Sequence, residues 1–322
     1  MDFGIDTIRA AAARLDGRVR RTPLLSSPML DELTGATVLV KAEPLQLTGS
    51  FKIRGALNTL LCLSDAEREA GVLAFSTGNH GQAVAASASM TGTVATIVMP
   101  SDAPRIKVDG VRWWGGEVVF YDPATQDRED VGRDLVAERG LTLVHPYDDV
   151  RVMSGQGTVG LEIVDQLSEG GHSPDAVVIP CSGGGLSSGT IEAVRASYPQ
   201  VAPFVVERDG YPKMARSLAS GRVEKVPAVP VFLDAIGSPT VGQHTLAALS
   251  RHPVRALTVT DDQARVAMRE AFRTLKLVIE PGGSAALAAV LAQREHFAGQ
   301  TVVVVASGGN VDASVYVDVL GG

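Results

Sequence analysis

A lysine enclosed by apolar residues is the part of this sequence with the clearest chemical potential. Lys52 stands between Phe51 and Ile53 in the stretch 49–55, which begins and ends with glycine. Burial among apolar groups penalises the charged form of a lysine, so its pKa falls. The neutral amine that results is a nucleophile and forms a Schiff base with an aldehyde. Most lysines lie on the surface, so this interpretation depends on what the rest of the chain places around Lys52.

Three loops of glycine and small polar residues follow apolar runs that are typical of β-strands. Strand and helix patterns alternate along the chain, which predicts an α/β fold with parallel sheets covered by helices on both faces. In such sheets ligands collect where the strands reach their carboxyl ends. We therefore expect one site built from the lysine stretch and from the loops at residues 76–81, 182–185 and 307–310.

The loop at residues 182–185 consists of one serine and three glycines and precedes a predicted helix. Consecutive glycines expose backbone N–H groups, and the helix N-terminus adds a partial positive charge, so the loop suits a phosphate. The spacing differs from the G-x-G-x-x-G of dinucleotide sites, and a simple tight turn is an alternative. Residues 185–189 also match the hydrolase pattern G-x-S-x-G, but Ser187 then falls inside the predicted helix and not at the turn apex.

The other two loops offer neutral polar groups. Ser76, Thr77 and Asn79 carry hydroxyl and amide groups near a predicted helix start, an arrangement that suits a carboxylate; helix capping by Ser76 or Thr77 is the alternative. His80 could serve as a ligand or a base, but we expect it to pack or cap, since no second histidine lies at metal-ligand spacing. Ser307 ends the last apolar run, where its hydroxyl could hydrogen-bond a ring nitrogen.

Hydrophobic spacing predicts the elements that position these loops. The predicted helices cover residues 5–15, 53–63, a segment through 90, 128–139, 157–167, 186–197, 263–274 and 284–291. The predicted strands cover residues 37–40, 72–75, 94–100, 118–121, 141–144, 176–180, 201–206 and 301–306.

Composition excludes several classes of protein. The 322 residues are 45% hydrophobic, which is enough for two domains or one large α/β unit. The net charge of −7 and the lack of a long basic cluster argue against nucleic acid as a partner. No apolar run reaches the length of a membrane span, and two cysteines fit free thiols in a reducing cytoplasm better than a disulfide framework.

Taken together, the motifs resemble those of the fold-type II pyridoxal-phosphate enzymes, in the branch of threonine/serine dehydratases and serine racemases. The likeness covers almost the whole chain and keeps the order of the motifs. Some features are also similar to the hydroxyectoine-utilisation dehydratases. The segments that carry the resemblance are Gly49-Ser50-Phe51-Lys52-Ile53-Arg54-Gly55, Ser76-Thr77-Gly78-Asn79-His80-Gly81, Ser154-Gly155-Gln156-Gly157-Thr158, Ser182-Gly183-Gly184-Gly185-Leu186, Glu280-Pro281 and Ser307-Gly308-Gly309-Asn310-Val311-Asp312.

The resemblance implies a fold and a set of residue roles. The fold would be the two-domain one of the tryptophan synthase β type. A large cofactor-binding domain would contain residues 1–47 and 149–322, and a small mobile domain residues 48–148. Pyridoxal 5'-phosphate would be the cofactor, and Lys52 and Thr77 would be the catalytic residues. The implied cofactor-binding residues are Phe51, Lys52, Asn79, Ser182, Gly183, Gly184, Gly185, Leu186, Glu280 and Ser307; the implied substrate-binding residues are Ser76, Thr77, Gly78, Asn79 and His80.

The sequence departs from the family at four places. Ser182 replaces a fourth glycine, and Thr77 stands where serine racemases have the serine that works on the opposite face of the substrate. Lys213 stands where metal-binding relatives have a second acidic ligand, so we expect no divalent metal. The segment 234–236 reads Asp-Ala-Ile where Asp-Gly is more usual.

The resemblance implies a dehydratase, an ammonia-lyase that converts a β-hydroxy amino acid such as L-threonine or L-serine to a 2-oxo acid and ammonia. The alternatives are another β-hydroxy amino acid (hydroxyaspartate, phenylserine or one derived from hydroxyectoine), a serine racemase, a β-replacement synthase, or a binding protein without turnover. We expect a cytoplasmic homodimer whose partner is a small amino-acid substrate, with no membrane or nucleic-acid partner.

Overall fold

The strands form two separate sheets. The computed structural model describes residues 2–76, 78–103, 105–227 and 232–322, with Ile106 described by its backbone alone. In chain order the strands of this part are β1 Leu24–Leu25, β2 Thr37–Ala42, β3 Val72–Phe75, β4 Ala95–Pro100, β5 Glu117–Tyr121, β6 Thr142–Leu143, β7 Ala176–Pro180, β8 Ala202–Arg208, β9 Arg255–Val259 and β10 Thr301–Ala306.

Helices connect and cover these strands. In chain order the helices of the described part are α1 Ile5–Leu15, α2 Pro28–Thr34, α3 Lys52–Leu61, α4 Asp65–Ala70, α5 Asn79–Thr91, α6 Arg105–Trp113, α7 Arg128–Arg139, α8 Val150–Gly170, α9 Gly185–Ser197, α10 Lys213–Ser220, α11 Gln243–Leu249, α12 Asp261–Glu270, α13 Ala285–Ala292, α14 Arg294–Phe297 and α15 Ala313–Gly321. Short 3₁₀ turns lie at Glu43–Leu45, Asp234–Ile236 and Gly282–Ser284, and a π-helical turn at Ala271–Leu275.

The larger sheet has six strands in the order β1-β2-β10-β7-β8-β9. All neighbouring strands in it run parallel except β1 and β2, which are antiparallel. The smaller sheet has four parallel strands in the order β5-β4-β3-β6. The predicted α/β class with parallel sheets is confirmed. The strands of the smaller sheet all lie within the segment 48–148, while the domain boundaries themselves stay a prediction.

Both faces of the larger sheet are buried, which explains why its strands are continuous apolar runs. Side chains alternate between faces along a strand. On β10, Val302 and Val304 belong to a core with the alanine-rich helix α13, whereas Val303 and Val305 belong to a core with α8 and α9. A third core covers one face of the smaller sheet and joins it to α3 and α5. Ser76, Ser182 and Ser307, which follow β3, β7 and β10, line one cleft.

The predicted helices and strands agree with the structure where the spacing of hydrophobic residues was regular. Helix α1, helix α7 and the strands β3, β7 and β10 have their predicted bounds. The prediction was wrong for α8, which begins at Val150 and not at residue 157. Its first turns contain Gly155, which packs so tightly on the backbone of Arg54 that a Cβ there would overlap it. The sequence analysis predicted neither β1 nor β9, and it did not predict several short helices.

A buried charge network fixes α3, the helix that begins with Lys52. Arg54 is fully buried. Its guanidinium donates from Nε and Nη2 to the two oxygens of Glu43, both at 2.8 Å. It also donates to the two oxygens of Glu162 on α8, at 2.6 and 2.9 Å. Buried Lys41 on β2 completes the network, 2.6 Å from Glu162. Two cations and two carboxylates thus hold α3 against β2 and α8.

Removing the guanidinium should destabilise the protein strongly. In Arg54→Met, the buried carboxylate of Glu43 loses its cation, and breaking a buried pair from one side typically costs about 3–5 kcal/mol. Urea denaturation of the purified variant measures the change in free energy of unfolding. The matched control is Arg21→Met, because Arg21 forms a surface pair with Glu169 at 2.7 Å and such pairs contribute about 0–1 kcal/mol. Similar losses in the two variants would contradict the importance of the buried network.

Candidate active site

One cleft of about 1190 Å³ brings the lysine stretch and the three loops together. It opens at the carboxyl ends of β3, β7 and β10, as expected for parallel sheets. The sequence-predicted site residues of the described chain that line it are Phe51, Lys52, Ser76, Gly78, Asn79, His80, Ser182, Gly183, Gly184, Gly185, Leu186, Glu280 and Ser307. Their shared location is observed, and their individual roles stay predictions. Thr77 lies outside the described residues.

Lys52 lies at the first position of α3, on the cleft wall. Its Nζ donates to the backbone oxygen of Pro146 at 2.7 Å and stands 5.2 Å from the centre of the Phe51 ring. Burial lowers the pKa of Lys52 to about 8, and the nearby carboxyl of Glu280 offsets part of this shift. The lowered pKa makes the neutral, nucleophilic amine of Lys52 easier to form, as the sequence predicted for a lysine with apolar neighbours.

The glycine loop after β7 leads directly into α9. Gly184 has φ = 100° and begins the helix without a side-chain cap. That backbone angle favours glycine, and the first N–H groups of a helix have no partner within it. A Cβ on Gly183 would overlap the ring of Tyr147, so only glycine allows this packing. Backbone N–H groups without a partner inside the helix therefore lie at the N-terminus of α9, which carries a partial positive charge. This arrangement fits a phosphate. Ser187 lies inside α9, buried and donating to Gly184, so the hydrolase interpretation fails.

A second helix N-terminus faces the cleft at α5. This helix begins at Asn79 after Gly78, again without a side-chain cap. Ser76 uses its hydroxyl to accept the Gly78 N–H at 3.0 Å, which shapes the loop ahead of the helix. The N–H groups of the first turn are thus available to a carboxylate.

His80 is held neutral. Its Nε2 lies 2.8 Å from the backbone oxygen of Val144, so we assign the ring proton to Nε2. Burial, with a further contribution from the charge of Lys52, lowers the pKa of His80 to about 3. An imidazole of this kind adds no positive charge to the cleft. We infer that the backbone N–H of His80, and not its ring, is the group available to a carboxylate.

Glu280 lines the cleft near Lys52. It is buried, and its Oε1 accepts from Nδ2 of Asn79 at 2.6 Å. Burial raises the pKa of the Glu280 carboxyl to about 8, with a smaller contribution from the charge of Asp234. The Oδ1 of Asn79 in turn accepts from Nδ2 of Asn310 at 2.8 Å. Ser307 is also buried, and its backbone oxygen accepts from Phe51, which links the last loop to the lysine stretch.

The sequence analysis did not predict several of the residues that line the cleft. Tyr147 and Ser238 form a hydroxyl pair, 3.4 Å apart, beside the glycine loop. Lys107 also lines the cleft and reaches Asp234 at 3.3 Å. The location of Tyr147 just after β6, at a strand carboxyl end, was a usable signal. Among the described residues no strand leads directly into Ser238, so its sequence position carried no comparable signal.

The segment with Lys213 contains a buried ion pair. The Lys213 Nζ lies 3.4 Å from Glu207 and 3.3 Å from the backbone oxygen of Ile236. The carboxylate of Glu207 also accepts the N–H groups of Met214 and Ala215. A protonated lysine already supplies a positive charge to Glu207, and an ammonium cannot act as a metal ligand. Within the described residues, no cluster of three acidic, histidine or cysteine side chains suits a metal ion.

Comparison with known proteins identifies the family. The sequence matches the family described as pyridoxal-phosphate dependent enzyme over residues 15–308. The chain belongs to that family. Among its relatives is the L-threo-3-hydroxyaspartate ammonia-lyase of Pseudomonas sp., 40% identical over 317 residues that cover 98% of each chain. The serine racemase of Oryza sativa subsp. indica is 37% identical and covers 97% of this chain and 92% of its own. The solved structure of maize serine racemase superimposes with a TM-score of 0.92 at 34% identity, covering 99% of this chain and 97% of that one.

These findings confirm the predicted family, fold class and cofactor. The protein is a pyridoxal-phosphate enzyme, and ammonia-lyases are among its full-length relatives. The described residues fit that cofactor, because a glycine cradle, a poised lysine and a polar wall line one cleft. No helix in the described ranges has the length and apolar character that crossing a membrane requires. Both thiols are free, as expected. The homodimer and the cytoplasmic location stay predictions.

The pKa of Lys52 leads to a pH prediction for the cofactor-free enzyme. Only the neutral amine reacts, so labelling of Lys52 by an amine acylating reagent should rise with pH and reach half its maximum near pH 8. A free lysine side chain titrates near 10.4. In Glu280→Gln the midpoint should move to lower pH, because the negative charge that raises the Lys52 pKa is gone. Peptide mass spectrometry of timed samples gives both midpoints. A wild-type midpoint near that of free lysine, or an upward shift in the variant, would contradict this prediction.

The Glu207–Lys213 pair leads to a prediction on metals. Activity should survive exhaustive chelation, because the Lys213 ammonium already neutralises the buried carboxylate. In Lys213→Ala that carboxylate is left with space beside it, so this variant should gain stability from added magnesium or calcium. Thermal denaturation with and without each ion measures the gain. A wild-type enzyme that loses activity on chelation and regains it with a divalent ion would show that Lys213 does not replace a metal.

Proposed function

We propose that this enzyme is an ammonia-lyase that converts a β-hydroxy amino acid to a 2-oxo acid and ammonia. L-threo-3-hydroxyaspartate is the first substrate to test, and L-threonine and L-serine are the next. The observation that carries the proposal is that Lys52, with its lowered pKa, lines the same cleft as two helix N-termini that can each receive an anion. The hydroxyaspartate ammonia-lyase that is similar over 98% of this chain supports the choice of substrate.

Proton transfer at the substrate Cα is assigned to Lys52. The bound cofactor supplies an electron sink that makes the Cα proton acidic. A base with a pKa near the working pH transfers protons best, and burial places Lys52 in that range. The Pro146 carbonyl holds its Nζ at 2.7 Å and so limits where the amine can point. The electron pair left at Cα then forms the Cα–Cβ double bond while the Cβ–O bond breaks, and the proton taken up by Lys52 balances the departing hydroxide as water. Water then hydrolyses the unsaturated amine to the 2-oxo acid and ammonia.

Anion binding is assigned to backbone groups. The first turn of α5 would hold the substrate α-carboxylate, and the turn from Gly183 to Leu186 would hold the cofactor phosphate. Ser307 would face the ring nitrogen with a neutral hydroxyl. A neutral partner leaves the ring without a full positive charge, which favours prompt elimination over long-lived carbanion chemistry.

A substrate with a second carboxylate needs a cation in the cleft, and Arg128 is the best candidate. It begins α7, lines the cleft and is half exposed, and it lies 3.9 Å from the carboxylate of Glu129. The other cations of that wall are engaged more closely. Arg133 lies 2.9 Å from Asp130 on its own helix, and Lys107 contacts Asp234. An arginine guanidinium can bind a carboxylate through two parallel hydrogen bonds.

A panel of β-hydroxy amino acids tests the proposal. The enzyme should release ammonia and a 2-oxo acid from at least one of hydroxyaspartate, threonine and serine, with little enantiomer formed. The expected preference for elimination follows from the type of residue 77, a threonine where the resembling racemases have a serine, because the added methyl group of threonine restricts its χ1 rotamers. Chiral chromatography and oxo-acid assays on the same samples separate the outcomes. Enantiomer that accumulates as fast as the oxo acid would favour the racemase instead.

Two arginine variants test the substrate preference. Arg128→Gln should lower kcat/KM for hydroxyaspartate by about 10–100-fold, the size expected for losing a charge-assisted hydrogen-bonded pair. The same change should leave kcat/KM for serine nearly unchanged, because serine has no second carboxylate. Arg133→Gln is the matched control on the same helix and should affect neither substrate. Equal losses for both substrates in Arg128→Gln would assign this arginine to the fold and not to specificity.

A further inference from the structure

A chain of side-chain amides runs along the wall of the cleft. Asn310 follows β10, and its Nδ2 lies 2.8 Å from the backbone oxygen of Thr48 and 2.8 Å from Oδ1 of Asn79. The Nδ2 of Asn79 then lies 2.6 Å from Oε1 of Glu280. Each contact pairs a donor with an acceptor. The chain begins at a backbone group and ends inside the cleft.

The backbone oxygen of Thr48 fixes the orientation of the whole chain. A carbonyl oxygen only accepts, so the atom of Asn310 that faces it must be the amide nitrogen. That nitrogen carries a second hydrogen, which is directed to Asn79. The facing atom of Asn79 must therefore be its oxygen, and its nitrogen must face Glu280. Amide orientations are assigned from such networks, and here the assignment starts from a group with no alternative.

This orientation leaves one donor unused. The Asn79 amide nitrogen has two hydrogens, and one of them is directed to Glu280. The other has no partner among the described residues, and Asn79 lines the cleft. Asn79 can thus offer the cleft an N–H, while its oxygen is occupied by Asn310. An N–H donor favours a negatively charged oxygen, whereas an amide oxygen would favour a protonated hydroxyl.

We propose that Asn310 is a positioning residue that forces Asn79 to present its N–H, and not its oxygen, to the ring hydroxyl of the cofactor. The proposal rests on the proposed function and on the family resemblance, which implies that Asn79 binds the ring hydroxyl of the cofactor. Asn310 touches neither cofactor nor substrate in this role. It acts through Asn79 and keeps the ring oxygen in its ionised form. Asn310 is itself exposed, so its replacement is compatible with a stable fold.

The absorption spectrum of the loaded enzyme without substrate tests this role. The bound cofactor absorbs at longer wavelength when its ring oxygen is ionised than when it is protonated, so the ratio of the two bands reports the hydrogen bond. In Asn310→Asp a carboxylate faces Asn79, which should rotate to direct its nitrogen there and its oxygen to the cleft. The long-wavelength band should then fall relative to the short one by about tenfold, the effect of one hydrogen bond to a charged group. Asn310→Ala removes the constraint without reversing it and should give a smaller change in the same direction.

Asn58 provides the matched control. Its Nδ2 also donates to a backbone oxygen, that of Arg151, at 2.6 Å, and its Oδ1 accepts from Arg14 at 2.8 Å. It lies on α3 but does not line the cleft. Asn58→Ala should lower the melting temperature and leave the band ratio unchanged. A positioning role predicts the opposite pattern for Asn310→Ala, with a changed ratio and an almost unchanged melting temperature.

The outcomes separate this proposal from the proposed function. An unchanged band ratio in both Asn310 variants, or an equal change in Asn58→Ala, would overturn the role of Asn310. Should Asn310→Asp bind too little cofactor for a spectrum, Asn310→Ala decides alone. The measurement needs no substrate, so inactivity toward every β-hydroxy amino acid would refute the proposed reaction and leave this result standing. If wild-type protein shows neither band after addition of the cofactor, the cofactor site itself is refuted, and so is the proposed role of Asn310.

Discussion

The buried pairing of Arg54 with Glu43 and Glu162 is the interaction on which the active site depends. Arg54 lies two residues after Lys52 on the same helix and uses both edges of its guanidinium. Ion pairs in the interior add little net stability, because desolvation offsets much of their attraction. Apolar residues of similar volume could hold α3 in place at lower cost. Apolar contacts would not fix the rotation of α3 about its axis, whereas the two carboxylates that pair with Arg54 do. We infer that the ion-pair network sets the direction in which Lys52 enters the cleft.

The sequence could predict those parts of the site whose properties depend on residues that are neighbours along the chain. Lys52 and the glycine loop after β7 were predictable because their flanking residues already define the backbone and the surroundings. The hydroxyl pair of Tyr147 and Ser238 joins residues 91 positions apart along the chain. The orientation of Asn79 depends on a contact with Asn310, 231 positions away. Pairings of that kind follow from the complete fold, and no local periodicity reports them.

The early part of α8 shows a second limit, which concerns glycine. The predicted helix begins at Gly157 and leaves Gly155 outside it, and glycine lowers helix propensity by about 1 kcal/mol. In the structure both glycines lie inside a continuous helix from Val150 to Gly170. A Cβ at Gly155 would overlap the backbone of Arg54, and one at Gly157 would overlap Ile8. Close contact with α3 and α1 outweighs the propensity, and it also brings Glu162 within reach of Arg54.

The cleft receives anions without placing a fixed cation beside Lys52. Both predicted anion sites are helix N-termini, whose partial charges are about half a unit and act within a single turn. His80 is neutral, burial lowers the pKa of Lys52, and the carboxyl of Glu280 offsets part of that shift. An arginine in either anion site would depress the pKa of Lys52 further. Backbone recognition at the two predicted anion sites would therefore separate two demands. Backbone N–H groups would hold the phosphate and the carboxylate, while burial and Glu280 set the pKa of Lys52.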